Sequence, residues 1–227
     1  MIQKIVVGEL STNCWIFVDD SEKENNAGLK GAYVIDPGGD EAEINAFLED
    51  NKLYPIAVLL THGHFDHIFA LPAVYSYWAA KGFTPQVVIS RADSAYVGKG
   101  AYNQHCTLVK ACYGSTRILD GIWKDMPEAT QLVDDGDNVG VFNVIMLSGH
   151  TEGCVGFFYE KEKILFCGDT LFASAVGRTD LPGGDEQKMM QSLNRLFSMD
   201  HSIAVYPGHG GCTSIGREAQ GNFFNGT

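Results

Sequence analysis

The seven residues Thr61-His62-Gly63-His64-Phe65-Asp66-His67 hold the densest set of potential metal ligands in this 227-residue chain. Three imidazoles and a carboxylate packed this tightly would repel one another on protonation unless a cation organised them. His and carboxylate together are what zinc, iron or manganese sites are made from. The cluster follows Ile56-Ala57-Val58-Leu59-Leu60, an apolar run entered from Pro55 and ended by a polar turn containing Gly, which predicts a buried strand. The histidines then sit at the strand's C-terminal mouth. On an extended or turning backbone, His62 and His64 can aim at one ion, while Asp66 and His67 reach a neighbouring one.

Three further strand ends carry candidate ligands. The predicted strands Phe142 to Leu147, Ile164 to Phe166 and Ala204 to Tyr206 run into Ser148-Gly149-His150-Thr151, Cys167-Gly168-Asp169-Thr170 and Pro207-Gly208-His209-Gly210. One His or Asp in a turn is ordinary; four strand ends of this kind are how an enzyme gathers distant ligands on one rim of a sheet. His105 and His201 lie outside such turns and are read as structural.

The remaining pattern supplies the elements that must position these residues. Strands are predicted at Ile2 to Val7, Cys14 to Val18, Ala32 to Ile35, Gln86 to Ser90 and Val155 to Tyr159. Asp36 closes the third of these beside the strand that carries the His cluster, where it is placed to support a ligand from beneath. Helical spacing marks Glu41 to Asn51, with Asp40 as its expected N-cap, and Phe69 to Lys81. Residues 93–126 are patterned more loosely, with Tyr96, Tyr102, Tyr113 and Trp123 among small residues. They are expected to form a helical insertion of one or two helices, either packed over the metal mouth or set at the periphery with its aromatics in a small core of its own or in a dimer contact. Asp134-Asp135-Gly136-Asp137 reads as a tight turn, without the downstream Glu of a calcium loop. Two sheets, each flanked by helices and each supplying ligands, imply an α/β (α+β) fold of four layers, an αβ/βα sandwich, over one domain spanning residues 1–227.

Hydrophobic residues make up 45% of the chain, enough for a sizeable core, and the net charge of -12 leaves no basic surface for nucleic acid. Met1-Ile-Gln-Lys leads straight into a strand, so no signal peptide is read, and no apolar stretch reaches the length of a membrane span. A cytoplasmic protein is expected, with its six cysteines as reduced thiols, since no pair has CxxC spacing.

The pattern HxHxDH at His62 to His67, followed in order by His150, Asp169 and His209, resembles the metallo-β-lactamase superfamily across nearly the whole chain, and that resemblance implies the superfamily's αβ/βα sandwich. Thr12-Asn13-Cys14-Trp15, Gly168-Asp169-Thr170-Leu171-Phe172 with Gly177-Arg178-Thr179-Asp180, Tyr206-Pro207-Gly208-His209-Gly210 and Thr213 to Glu218 are similar to the short bacterial glyoxalase II-like hydrolases. The resemblance implies two divalent metal ions, zinc ahead of iron or manganese. His62, His64 and His150 would hold one, Asp66, His67 and His209 the other, and Asp169 would bridge them. It also implies hydrolysis of a small-molecule thioester such as S-lactoylglutathione by a hydroxide shared between the ions, with Asp66 and Asp169 as the catalytic carboxylates. Three departures stand out. Glyoxalase II proper carries a helical C-terminal domain that holds glutathione, whereas this chain ends about eighteen residues after His209. Glu152 stands where the family usually has Pro after His-Thr, and residues 93–126 are longer than in the short relatives.

Arg178 reads first as an ion-pair partner of Asp180 and second as a holder of a substrate carboxylate. Tyr102 and Tyr113 are the candidates for lining a substrate pocket. Two other reactions share the fold: persulfide oxidation at a single iron held by two His and one Asp, and hydrolysis of another ester or lactone.

Overall fold

A computed structural model describes residues 1–221. The first half of the chain builds one six-stranded sheet in sequence order from β1 (Ile2–Val7), β2 (Thr12–Phe17), β3 (Lys30–Ile35), then, after helix α1 (Glu41–Asp50), β4 (Leu53–Leu59). The short helices α2 (Phe65–Ile68) and α3 (Leu71–Ala80) precede β5 (Gln86–Ser90), and α4 (Ala101–Tyr113) precedes β6 (Gln131–Val133). β1 to β3 pair antiparallel, and β3 to β6 pair parallel.

The second half forms another six-stranded sheet from β7 (Asn138–Val139), β8 (Phe142–Met146), β9 (Val155–Tyr159) and β10 (Ile164–Gly168), extended beyond β10 by later strands. Those come after the small hairpin β11 (Leu171–Phe172) and β12 (Ala175–Val176) and the helix α5 (Glu186–Phe197). They are β13 (Ala204–Pro207), parallel to β10, and β14 (Thr213–Ser214), which leads into α6 (Ile215–Gly221).

Side chains alternate across each strand, and in the central strands both sets are buried. Cys14 and Ile16 on β2, Val34 on β3, Val58 on β4 and Val87 on β5 face helices α1 and α3, where Ile44, Leu48, Val74 and Trp78 cover them. Their neighbours Trp15, Phe17, Tyr33, Ile35, Leu59 and Val88 face the other sheet and meet Phe142, Phe157 and Phe166. A third apolar layer packs Leu165 and Val205 against Met189, Leu193 and Leu196 of α5. Three apolar layers between four layers of structure make the αβ/βα sandwich that the strand pattern implied, and two-sided burial explains why these strands read as continuous apolar runs. Among the described residues, no helix is long and apolar enough to cross a membrane.

Two local readings change, one is narrowed and one element is added. β4 begins at Leu53, and Pro55 lies inside the strand where its register against β3 slips; a bulge tolerates a residue that has no N–H to donate. Asp40 precedes α1 but does not cap it, because its φ of 49° turns the carboxylate away to accept the Gly8 N–H at 2.8 Å. Residues 93–126 contain one long helix, α4, flanked by single 3-10 turns at Ser94–Tyr96 and Arg117–Leu119. Finally, α5 has no counterpart among the elements expected from sequence. It is capped by Asp185, whose carboxylate accepts the Lys188 N–H at 3.0 Å, and its buried Met189, Leu193 and Leu196 recur at helical spacing. Burial of each such side chain contributes about 1.5–3 kcal/mol.

Candidate metal centre

The strand ends of both sheets open on one rim. Beyond β4 the backbone stays extended through His64 and then coils into α2, so His62 and His64 project from a loop and Asp66 and His67 from the first turn of a helix. His150 comes from the loop between β8 and β9, Asp169 from the turn after β10, and His209 from the loop after β13. The ring nitrogens of His62, His64 and His150 lie within 4.8 Å of one another, and so do the ligand atoms of Asp66, His67 and His209. Asp169 stands between the groups, with Oδ2 3.5 Å from His150 Nε2 and 3.4 Å from His209 Nε2, and Oδ1 3.4 Å from His67 Nε2.

Each ligand candidate is held from behind. His67 Nδ1 donates to Asp36 at 3.0 Å, while Asp36 also accepts the Thr61 N–H at 2.8 Å and the Thr61 hydroxyl at 2.6 Å. A carboxylate so fully engaged orients His67 rather than adding a ligand of its own. Asp36 does this from the left-handed region, at φ 54°, a conformation Asp tolerates better than most residues. His150 Nδ1 donates to the Arg178 carbonyl at 2.7 Å, which aims its Nε2 inward. The Thr12-Asn13-Cys14-Trp15 stretch secures the His209 loop. The Asn13 side chain donates to the carbonyls of Pro207 and Gly210, the Trp15 indole donates to Pro207 and the Asn13 N–H donates to Gly208. Thr12 reaches across to donate to Asp66 at 3.1 Å. At Gly208 the chain passes so close to the centre that an added Cβ would lie 2.2 Å from Asp169 and 2.5 Å from His67.

Asp93 is the supporting residue that sequence reasoning missed. Its carboxylate accepts the Gly63 N–H at 2.9 Å, the Gly153 N–H at 2.9 Å and the Thr151 hydroxyl at 2.7 Å, and so ties the loop of His62 and His64 to the loop of His150. This bracket stiffens the turn where Glu152 stands in place of the family's usual Pro. The one available signal was a carboxylate three residues beyond the strand Gln86 to Ser90.

The two groups differ in charge. Burial, then the neighbouring His67, holds His62 well below the usual imidazole range, and burial with the His150 ring pushes His64 down to about 3. Burial also opposes charge at His67, yet Asp169 and Asp66 raise it well above the ordinary value. At His209 burial is likewise outweighed, here by hydrogen bonds to Asp169 and Asp66, and the ring is raised to about 9. Asp66 is buried too, but His67 and His209 hold its carboxyl at about 2.

The donor set fits metal ions. Nε2 of His62, His64 and His150 are buried without a hydrogen-bond partner and converge on one space, and Oδ1 of Asp169, on the His67 side, is likewise buried without one. Buried polar atoms are rarely left so, because each costs about 1–3 kcal/mol. In the other group, His67 and His209 meet Nε2 to Nε2 at 3.3 Å, an approach that two protonated rings tolerate only between Asp66 and Asp169. Deprotonated, the same side chains are a ligand set for a divalent ion.

Comparison with known proteins agrees. Residues 7–209 match the sequence profile of the metallo-beta-lactamase superfamily. The chain belongs to this superfamily. Its relatives include hydroxyacylglutathione hydrolase GloC of Haemophilus influenzae, 31% identical over 227 residues, covering 98% of this chain and 97% of that one. Among solved structures, BLEG-1 B3 metallo-beta-lactamase superposes with a TM-score of 0.80 at 30% identity over the full length of both chains. TTHA1623, crystallised in a di-iron-bound form, superposes with a TM-score of 0.75 at 29% identity, covering 98% of this chain and 99% of that one.

As a member of this superfamily the chain carries a cleft of about 340 Å³ over its His and Asp cluster, walled by Leu10, Phe65, Leu108, Cys112 and Tyr113 on one side and by Arg178 and Leu181 on another. Tyr113 thus borders the centre. Tyr102 does not: it stacks on Trp123 at 5.2 Å and lines a separate hollow with Gly98 and Lys99. Arg178 lines the cleft while its guanidinium forks onto Asp180 at 2.7 and 2.8 Å. His105 lies on the buried face of α4, apart from the donor groups, with its Nε2 3.0 Å from the Tyr96 carbonyl.

Proposed function

We propose that the protein is a dinuclear metal-dependent hydrolase that cleaves a thioester, with S-lactoylglutathione as the reference substrate. The observation that carries this reading is the pair of adjoining donor groups, His62, His64 and His150 beside Asp66, His67 and His209, with Asp169 reaching both. Likeness to a hydroxyacylglutathione hydrolase along nearly the whole chain supports the choice of thioester. Cleavage of a β-lactam, the activity that the name of BLEG-1 B3 metallo-beta-lactamase states, likewise proceeds through attack on a carbonyl.

Zinc is the first expectation for the ions, with iron or manganese as alternatives. Two bound dications lower the pKa of a shared water toward about 7 and polarise a carbonyl oxygen. The chain's own residues do the rest. Asp169 compensates charge at both groups. Asp66, ionised and fixed by Thr12, faces the cleft and is placed to orient the attacking water or to accept its proton. The water oxygen bonds to the thioester carbon as one of its protons passes to Asp66 and on to solvent, and the C–S bond breaks with its electron pair leaving on sulfur. The new carboxylic acid ionises, so that one thioester and one water give a carboxylate, a thiolate and two protons. A thiol has a pKa of about 8.5, so the thiolate departs without a general acid.

A second reading, persulfide oxidation at one iron, requires only two His and one Asp. The complete Asp66, His67 and His209 group argues for the dinuclear alternative. The test is a panel of thioesters, a β-lactam and a glutathione persulfide, run with elemental analysis and oxygen uptake on the same sample. Thioester cleavage without oxygen consumption supports the proposal; oxygen-dependent persulfide turnover with no thioester cleavage refutes it.

A further inference from the structure

The metal cleft does not end at the ligands. Leu10, Phe65, Asp66 and Tyr113 also border a second groove of about 260 Å³, which continues over Phe69, Ile118, Leu119 and Ile122. Among the described residues, seven large hydrophobic side chains are exposed, and four of them, Leu10, Tyr113, Ile118 and Ile122, line this groove at 41–49% exposure. Single exposed apolar residues are normal, but their concentration beside a reaction centre marks a binding surface. The groove is built from four parts of the chain: the turn between β1 and β2, Gly38 and Gly39 after β3, the helix α2 that carries Asp66, and the end of α4 with the segment after it. Tyr113 at the end of α4 stacks on Phe65 at 6.2 Å, joining the last of these to the metal loop.

Charge narrows the occupant. Beyond Asp66, the carboxylate in the groove is Glu9, and among the described residues the Lys or Arg side chain lining the metal cleft is Arg178, already engaged by Asp180, while the cleft's imidazoles belong to the donor groups. A glutathione arm brings two carboxylates and an ammonium; among the described residues no free Lys or Arg side chain along this path receives the carboxylates.

On the thioester hydrolase reading above, we infer that the groove holds an uncharged, apolar arm of the substrate. Continuity with the metal cleft makes the arm part of the thioester and not a separate ligand. The arm belongs to either the acyl side or the thiol side, and the experiment separates these.

The metal-loaded protein is assayed with two series: acetyl to octanoyl thioesters of ethanethiol, and acetyl thioesters of ethanethiol to octanethiol. One series should show kcat/KM rising about twofold to fourfold per added methylene until the groove is filled. Ile122→Asp and Ile118→Asp, both at exposed positions, should abolish that rise while metal content stays that of the wild type. Binding is read independently by calorimetry with a non-hydrolysable thioether, dioctyl sulfide in a neutral detergent-free cosolvent, which should bind about tenfold more weakly to Ile122→Asp. Flat profiles in both series with thioester turnover intact, or an equal rise in the variants, overturn the groove assignment and leave the hydrolase standing. Thioether binding that depends on Ile122 without cleavage of any thioester keeps the groove and removes the hydrolase. Faster turnover of S-lactoylglutathione than of every uncharged thioester would also overturn the inference.

Discussion

The two donor groups of the metal centre share one carboxylate and differ in almost everything else. His62, His64 and His150 are closed off, their inward nitrogens without partners, and burial holds the His62 and His64 rings below the usual imidazole range. Asp66, His67 and His209 are more open, with the His209 side chain 28% exposed, and they satisfy one another through short contacts that retain protons. On the proposed dinuclear reading, the two halves are not equivalent. One half, held by backbone brackets, would accept a cation with little rearrangement; the other would have to release protons as an ion binds, so its affinity should fall as pH drops through the raised imidazole value of about 9.

The change that should damage both halves at once is Asp169→Asn. It keeps the shape and removes the charge common to the two groups, so metal content should fall and kcat/KM should drop about a thousandfold or more, the scale of several kcal/mol of lost charge stabilisation. Elemental analysis alongside thioester kinetics reads both effects. Normal turnover in this variant would mean that Asp169 does not serve both groups.

Asp93→Ala should break the closed half preferentially. It strands the N–H groups of Gly63 and Gly153 and frees the loops of His62, His64 and His150 from each other. Each unmet donor costs about 1–3 kcal/mol, and loss of such support typically lowers metal affinity about 10- to 100-fold. A chelator titration that removed metal from the variant no more easily than from the wild type would show the bracket to be dispensable.

Asp36→Asn should act mainly on the open half, and more mildly. An Asn amide still accepts from Thr61 but presents N–H to the His67 Nδ1–H, so the ring loses its anchor. Affinity at that half is expected to fall about tenfold, with the closed half retained; equal loss from both would erase the distinction between them.

Much of this centre was legible because chemistry and spacing coincide locally. His62 to His67 occupy one loop and one helical turn, and His150, Asp169 and His209 each follow an apolar strand, so the strand pattern alone brought them to one rim. Asp93 was not legible: its partners Gly63 and Gly153 lie 30 and 60 residues away and are backbone donors that leave no trace in composition. The role of Asn13 and Trp15 in clamping the His209 loop was hidden for the same reason, although the stretch itself stood out by resemblance. Tyr102 and Tyr113 looked equivalent in sequence. Eleven residues of helix separate them by about 16 Å along the axis, which carries one to Trp123 and the other to the metal cleft. The apolar stripe of α5 was present in Met189, Leu193 and Leu196, but a mean content of polar residues around them obscured it.

The most direct test of the dinuclear account is a metal titration of the stripped protein, following thioester hydrolysis and bound metal together. The account predicts close to two ions per chain, with hydrolysis appearing as the second equivalent binds. Full activity at one ion per chain, with no further uptake at neutral pH, would contradict it.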